Sequence, residues 1–258
     1  MFKKIRIFIL LLILATVALG SWRARQHLTE WEHTVNVAIY PISGDQSLVA
    51  NRYVAGLTHD NFSGIESWVQ EETRRYGKTL LKPVAIRLMP PLSALPPMPP
   101  HRPGIFDSIL WSLRFRWWAW RNDGDGPSAR IRLFVLYHDP ETHPVLPHST
   151  GLKEGGIGLL HVFASRIQDR QNAVIIAHEM LHVFGASDKY DMSSLQPIYP
   201  EGFAEPGRLP RYPQAWSEIM GGRRPLAADR SEIPLGLHQT LIGPATAREI
   251  GLTPAAKH

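Results

Sequence analysis

The chain has 258 residues, of which 44% are hydrophobic and 20% are charged, a composition typical of a globular protein and not of a disordered one. Its formal net charge of +5 favours an anionic neighbour such as membrane lipid, and the sequence contains no recognisable nucleic-acid-binding module. It contains no cysteine, which excludes disulfides, thiolate metal sites and thiol nucleophiles.

The N-terminus predicts export from the cytoplasm. A basic start over residues 3–6 precedes an apolar run over residues 7–20. This run is at the upper end for the core of a signal peptide and short for a full membrane span. Gly20 suits a cleavage site, although few small residues precede it. We therefore expect residues 1–20 to be a signal peptide or an uncleaved membrane anchor, and the protein to lie in the cell envelope, membrane-anchored, periplasmic or secreted.

The rest of the chain predicts one domain, residues 34–258, after a linker over residues 21–33. Predicted strands cover residues 34–42, 83–89, 129–139 and 155–166, and predicted helices cover residues 58–77, 105–120, 169–184 and 246–250. Outside an insertion at residues 90–127, the order of elements is β-α-β-β-β-α. This order predicts an α+β fold that is α/β-like in its N-terminal part and irregular in its C-terminal part.

The insertion at residues 90–127 is rich in proline and then in tryptophan. Its prolines forbid a regular helix or a central strand at its start. The helix predicted after them places Ile109, Leu113 and Trp117 near one face, with Arg114 elsewhere. Two interpretations stay open. The helix packs on the domain, or it lies in a membrane interface or lines a substrate cleft, since Trp and Arg suit such a boundary.

The most informative stretch is HEMLHVFGASD, residues 178–188, which lies in and just after an apolar helix. An unpaired glutamate inside such a helix would be costly, because burial removes its charge from water. His178 and His182 are four residues apart, so both imidazoles project from one face, where two nitrogens can reach one tetrahedral Zn²⁺. Glu179 follows the first histidine and can hold a water without binding the metal itself.

Residues at the ends of this helix add to the pattern. Asp169 is expected to be its N-cap, and Gly185 allows the chain to turn sharply after it, because glycine tolerates a positive φ. Asp188 then lies ten residues after His178, where it can supply the third ligand. Asp191 is an alternative ligand at a less suitable spacing. The structural alternative to a metal site is a pair of core histidines with a capping aspartate.

The pattern HExxHxxGxxD resembles the zinc-binding motif of the metzincin metallopeptidases, in the snapalysin-type variant whose third ligand is aspartate. The resemblance implies a mixed sheet, an active-site helix and a methionine-containing turn beneath the metal, for which the stretch SEIMGG supplies Met220. It also implies an edge strand that pairs with the substrate backbone, a role that falls on residues 156–166. The chain departs from the family in lacking a cysteine for a latency switch, and its insertion matches no family part.

Other ionisable residues are weaker candidates for the site. A glutamate on a later element could replace the aspartate, and a tyrosine could donate a hydrogen bond to an oxyanion, although structural roles are commoner for both. The glutamates are Glu201, Glu205 and Glu218, and the tyrosines are Tyr190, Tyr199 and Tyr212. Four histidines without a convincing ligand spacing are expected on the surface or in strands: His138, His143, His148 and His161.

Together these features predict a zinc-dependent endopeptidase that hydrolyses peptide bonds outside the cytoplasm. One catalytic Zn²⁺ would be held by His178, His182 and Asp188, with Glu179 as the general base. The expected partners are a peptide or protein substrate and, through the N-terminal segment, the membrane, but no nucleic acid. Two alternatives stay open: a membrane-tethered zinc-binding protein without turnover, and a metal-dependent hydrolase of cell-wall amide bonds.

Overall fold

The computed structural model describes residues 28–100, 104–124, 129–147, 149–152 and 155–253. The predicted signal peptide or anchor, the first part of the predicted linker and two short pieces of the insertion lie outside the described residues. None of the described helices combines the length and the apolar composition that a membrane crossing requires. The end of the predicted linker packs into the core, where the buried ring of Trp31 stacks on that of Phe184.

A five-stranded mixed sheet forms the centre of the fold. Its strands are β1 (Val35–Ser43), β2 (Val84–Leu88), β3 (Ile131–His138), β4 (Thr150–Leu152) and β5 (Ile157–Phe163). They lie in the order β2-β1-β3-β5-β4, and all neighbours are parallel except β4, which is antiparallel to β5. β1, β3 and β5 are mostly apolar because both of their faces are buried.

Helices cover both faces of this sheet. They are α1 (Leu48–Ala55), α2 (Asp60–Arg75), α3 (Ile105–Arg121), α4 (Asp169–Phe184) and α5 (Pro244–Glu249). One core cluster joins α1, α2 and α4 to sheet residues such as Val37 and Leu133. A second cluster joins α3 to the opposite face, where Phe115 packs against Phe134. The protein is therefore a mixed α and β structure, and the predicted fold class is confirmed at that level.

The strand before α4 does not lie where the sequence predicts. β5 is not an edge strand, because it lies between β3 and β4. Gly155 and Gly156 have positive φ angles, of 109° and 64°, and they lead the chain from β4 back into β5. The outer strand on this side of the sheet is therefore β4, whose 3 residues are too few to produce a clear sequence pattern.

The bounds of α4 agree with the prediction, but its N-terminal cap does not. A 3₁₀ turn at Arg166–Gln168 leads directly into the helix, so Asp169 already has helical backbone angles. The carboxylate of Asp169 instead accepts a hydrogen bond from the hydroxyl of Tyr53 on α1. At the other end, Gly185 closes the helix in a left-handed conformation with a φ of 115°, as predicted.

Candidate metal centre

Helix α4 carries both histidines of the motif on one side. Buried residues of the same helix, among them Ile176, Met180 and Val183, fix it in the core. His178 and His182 stand one turn apart, and their Nε2 atoms are 3.1 Å from each other. Because the helix is held by close packing, the separation of the two imidazoles is a built-in feature of the fold.

The second ring nitrogen of each histidine bonds to a backbone carbonyl. His178 Nδ1 donates to the oxygen of Ile219 at 2.9 Å, and His182 Nδ1 donates to the oxygen of Ala186 at 2.9 Å. Since a carbonyl only accepts hydrogen bonds, the proton of each neutral ring is on Nδ1 and the lone pair is on Nε2. This is the orientation that a metal-ligating histidine needs.

Asp188 completes a triangle of ligand atoms with the two histidines. Its Oδ1 is 3.1 Å from His178 Nε2 and 3.2 Å from His182 Nε2. In a tetrahedral zinc site the ligand atoms are about 3.3–3.4 Å apart, so these three atoms fit one ion after shifts of a few tenths of an ångström. The side chain of Asp188 is 34% exposed, which leaves the triangle accessible for a fourth ligand.

Asp191, the alternative third ligand, has other partners. Its Oδ1 accepts hydrogen bonds from the backbone N–H groups and hydroxyls of Ser193 and Ser194, at 2.5–3.1 Å. These bonds lower the pKa of Asp191 to about 2 and stabilise the turn that follows the site. The structure therefore brings Asp188, and not Asp191, to the histidines.

A carboxylate on α5 holds the loop around Asp188. Glu249 accepts hydrogen bonds from the backbone N–H and the hydroxyl of Ser187, at 2.9 and 2.7 Å. It also pairs at 2.8 Å with Nζ of Lys189, which is buried. Both chain neighbours of Asp188 are thus fixed by one acid. No sequence pattern indicates this role, because Glu249 lies 60 residues beyond Lys189.

The predicted methionine turn lies against α4. Met220 is fully buried in a 3₁₀ turn at Ile219–Gly221, and the carbonyl that His178 contacts is the one that precedes Met220. The carbonyl of Met220 accepts a hydrogen bond from the N–H of Lys189 at 2.8 Å. The turn therefore orients one histidine through its first residue and supports the Asp188 loop through its second.

Glu179 lies beside the triangle of ligand atoms. It is 8% exposed, and one of its carboxylate oxygens lies within 4.8 Å of a ring nitrogen of both His178 and His182. Adjacent residues of a helix project about 100° apart, so Glu179 approaches the site from a different direction than the ligands do. Its position suits a group that contacts a water bound at the open side of the triangle.

The charges around the site favour a cation. Burial lowers the pKa of His178, but the hydrogen bond to Asp188, the charge of Glu179 and the hydrogen bond to Ile219 raise this pKa overall. Burial raises the pKa of Asp188, but hydrogen bonds to His178 and His182 hold it well below its usual range. Carboxylates therefore favour positive charge on His178, and the two histidines favour negative charge on Asp188.

Among the three candidate tyrosines, Tyr190 is the one near the site. Its ring centroid is 6.4 Å from that of His178. Burial raises the pKa of Tyr190 to about 12, together with the charges of Asp188 and Glu179 and a hydrogen bond to Asp188, so the hydroxyl stays protonated and acts as a donor. The other two tyrosines, Tyr199 and Tyr212, both pack against Phe203 in a separate aromatic cluster.

The three candidate glutamates have roles elsewhere or lie on the surface. Glu218 is buried, and its carboxylate joins the methionine turn to α5 by accepting hydrogen bonds from three groups: Gly221 N, Gly243 N and Thr246 Oγ1. Glu205 pairs with Arg208, and Glu201 is exposed. No described contact joins any of the three to the histidines of α4.

A second group of side chains could also hold a metal ion. Asp45, His138 and His143 each place a ligand atom within 4.8 Å of the other two. His138 is a buried strand residue, as is His161, and their rings are hydrogen-bonded at 2.8 Å. The carboxylate of Asp45 already accepts hydrogen bonds from two backbone N–H groups. Sequence spacing misses this group because Asp45 lies far along the chain from His138 and His143. His148 lies outside the described residues.

No protein-family model matches the chain, and no curated protein matches it either. The geometry of the site is therefore the basis for assigning a function.

Proposed function

We propose that the protein is a zinc-dependent endopeptidase of the metzincin type that hydrolyses peptide bonds outside the cytoplasm. The observation that carries this proposal is the triangle of His178 Nε2, His182 Nε2 and Asp188 Oδ1, with edges of 3.1–3.2 Å and the Glu179 carboxylate beside it. Three protein ligands, an open fourth position and an adjacent base are the parts of a hydrolytic zinc site. The buried turn at Met220 supports the metzincin type.

Zinc suits this donor set better than other common ions do. Calcium and magnesium take oxygen ligands, whereas two of the three atoms here are imidazole nitrogens. Copper(II) and nickel(II) favour square-planar arrangements, which a compact triangle of ligand atoms does not provide. Zinc has no geometric preference of its own and is normally tetrahedral with N and O ligands in proteins.

The proposed chemistry assigns one role to each group. A bound Zn²⁺ supplies Lewis acidity, which lowers the pKa of a coordinated water and polarises a substrate carbonyl. Glu179 accepts the proton of the attacking water and passes it to the leaving amine. Asp188 makes the ligand set one unit more negative than three histidines, which lowers the Lewis acidity. Hydrogen bonds that Asp188 accepts would offset part of this effect.

The substrate backbone would align along β4, a role that the metzincin resemblance implies for the strand over residues 156–166. β4 is the last strand of the sheet, so one of its edges has no strand partner among the described residues. It also lies close to α4. An extended peptide can add to such an edge as a further strand, with its scissile bond directed towards the site.

Purified zinc-loaded protein is expected to cleave an unstructured protein substrate, to lose this activity with a chelator and to regain it with Zn²⁺. The same preparation, incubated with cell-wall fragments, provides the comparison. Cleavage of cell-wall amide bonds alone would favour the cell-wall hydrolase. Stoichiometric zinc binding without cleavage of either substrate would favour the binding protein, and absence of zinc binding would contradict the proposed site.

Export is expected to place everything after the N-terminal segment outside the cytoplasm. A reporter that is active only in the cytoplasm, fused after His258, should therefore be inactive, and one that is active only after export should work. Activity of the cytoplasmic reporter would contradict export. N-terminal sequencing of the membrane and soluble fractions then distinguishes a retained anchor from cleavage after Gly20.

A further inference from the structure

Helix α3 has two apolar faces, and the described residues cover one of them. On the covered face, Phe115 is fully buried and its ring lies 5.8 Å from that of Phe134 on the sheet. On the same face, the indole N–H of Trp111 donates to the carbonyl of Pro97 at 2.8 Å. These contacts fix α3 on the domain and account for one part of its apolar composition.

The opposite face exposes large apolar side chains to solvent, which we call the outer stripe of α3. Its members and their exposures are Phe106 86%, Ile109 52%, Leu110 48%, Leu113 60%, Trp117 59% and Trp120 73%. Spacings of three and four residues align them on one side of the helix, over a length of about 21 Å. A continuous exposed apolar surface of this kind marks an interaction site, unlike scattered single residues.

Positive charge borders the outer stripe. Arg114 and Arg121 are exposed, and the guanidinium of Arg121 lies 5.7 Å from the ring centroid of Trp117. Asp107, in the first turn, is the acidic residue of the helix. An apolar face that includes tryptophans and is flanked by arginines is typical of helices that lie in the interface of an anionic bilayer.

We propose that the outer stripe of α3 inserts into the surface of a membrane that contains anionic phospholipids, with the helix parallel to the bilayer. Lipid phosphates would neutralise Arg114 and Arg121. A second copy of the chain on the same stripe would instead bring the arginines of two helices together.

α3 and α4 cover opposite faces of the sheet, so docking leaves the metal centre on the side away from the bilayer. This contact is distinct from the N-terminal segment and independent of the chemistry at the zinc site.

The absence of cysteine makes a direct test possible in the full chain. A single Leu113→Cys substitution, on a side chain that is already 60% exposed, receives an environment-sensitive fluorophore. The matched control is Ile167→Cys, which is 94% exposed and lies outside α3. Both proteins are reconstituted in vesicles of phosphatidylcholine with and without phosphatidylglycerol, and quenching is measured with a lipid-attached and with a water-soluble quencher.

In anionic vesicles, the label at Leu113 should be quenched by the lipid-attached quencher, and the label at Ile167 by the water-soluble one. Each arginine near an anionic surface shifts binding about fivefold, so Arg114→Gln with Arg121→Gln should lower the ratio of docked to undocked protein about thirtyfold. Quenching of Leu113 by the water-soluble quencher in all vesicles would overturn the proposal. Protection from both quenchers would also overturn it, because a second copy or the chain's own N-terminal segment would then cover the stripe.

Discussion

Asp188→Ala is expected to remove most of the bound zinc, whereas Asp191→Ala is expected to leave it in place. Oδ1 of Asp188 lies 3.1 and 3.2 Å from the two histidine Nε2 atoms, but Oδ1 of Asp191 is bound to Ser193 and Ser194. Loss of groups that only support a ligand typically costs 10–100-fold in metal affinity, so loss of a ligand should cost at least about 100-fold.

The two aspartates form a matched pair, because each substitution removes one carboxylate of the same loop. Zinc content after dialysis against a weak competing chelator measures the effect, and thermal melting in excess chelator checks that both variants remain folded. Equal zinc retention in the two variants would remove Asp188 from the ligand set. Loss of zinc in Asp191→Ala alone would transfer the role to Asp191.

The helix of the candidate site and the spacing of its two histidines follow from local rules. The helix over residues 169–184 was predicted at its observed bounds, because its apolar pattern is continuous and Gly185 ends it with a positive φ. The spacing of His178 and His182 follows directly from helical geometry. The preference for Asp188 over Asp191 rests on the motif, and in the structure Oδ1 of Asp191 accepts hydrogen bonds from Ser193 and Ser194.

The parts that the sequence misses depend on contacts between distant segments. The carbonyl of Ile219 that orients His178 is 41 residues away from it along the chain. The pairing of Lys189 with Glu249 also links residues that no local pattern connects. Sheet order has the same character: local pattern identifies β5 as a strand, but its place inside the sheet is decided by pairing with β3 and β4.

Helices α1 and α3 show two further limits of local pattern. Ser47 caps α1 by accepting a hydrogen bond from the N–H of Ala50, yet Leu48 in its first turn is 74% exposed, so the apolar residues of this short helix do not define one face. In α3 the apolar residues form two faces. Apolar periodicity alone does not reveal which face the sheet covers, and the structure shows that Phe115 lies inside while Leu113 lies outside.

Glu179→Gln is expected to abolish most of the peptide cleavage without loss of zinc. The substitution keeps the volume of a side chain that is 8% exposed and removes the carboxylate that would accept the water proton. General base catalysis typically contributes 10²–10⁴-fold, so kcat should fall by at least about 100-fold. Zinc stoichiometry and melting temperature should stay unchanged, because the triangle of His178, His182 and Asp188 keeps all of its atoms.

The matched control for this variant is Glu201→Gln, an exposed glutamate in the irregular C-terminal part of the chain. Its kcat should equal that of the wild type, which shows that loss of one carboxylate elsewhere has no effect. A fall in kcat with an unchanged KM would locate the effect of Glu179 in the chemical step, whereas a rise in KM alone would make Glu179 a substrate-binding residue.

A Glu179→Gln protein that binds zinc and cleaves as fast as the wild type would refute the proposed base. The zinc site would then need another proton acceptor.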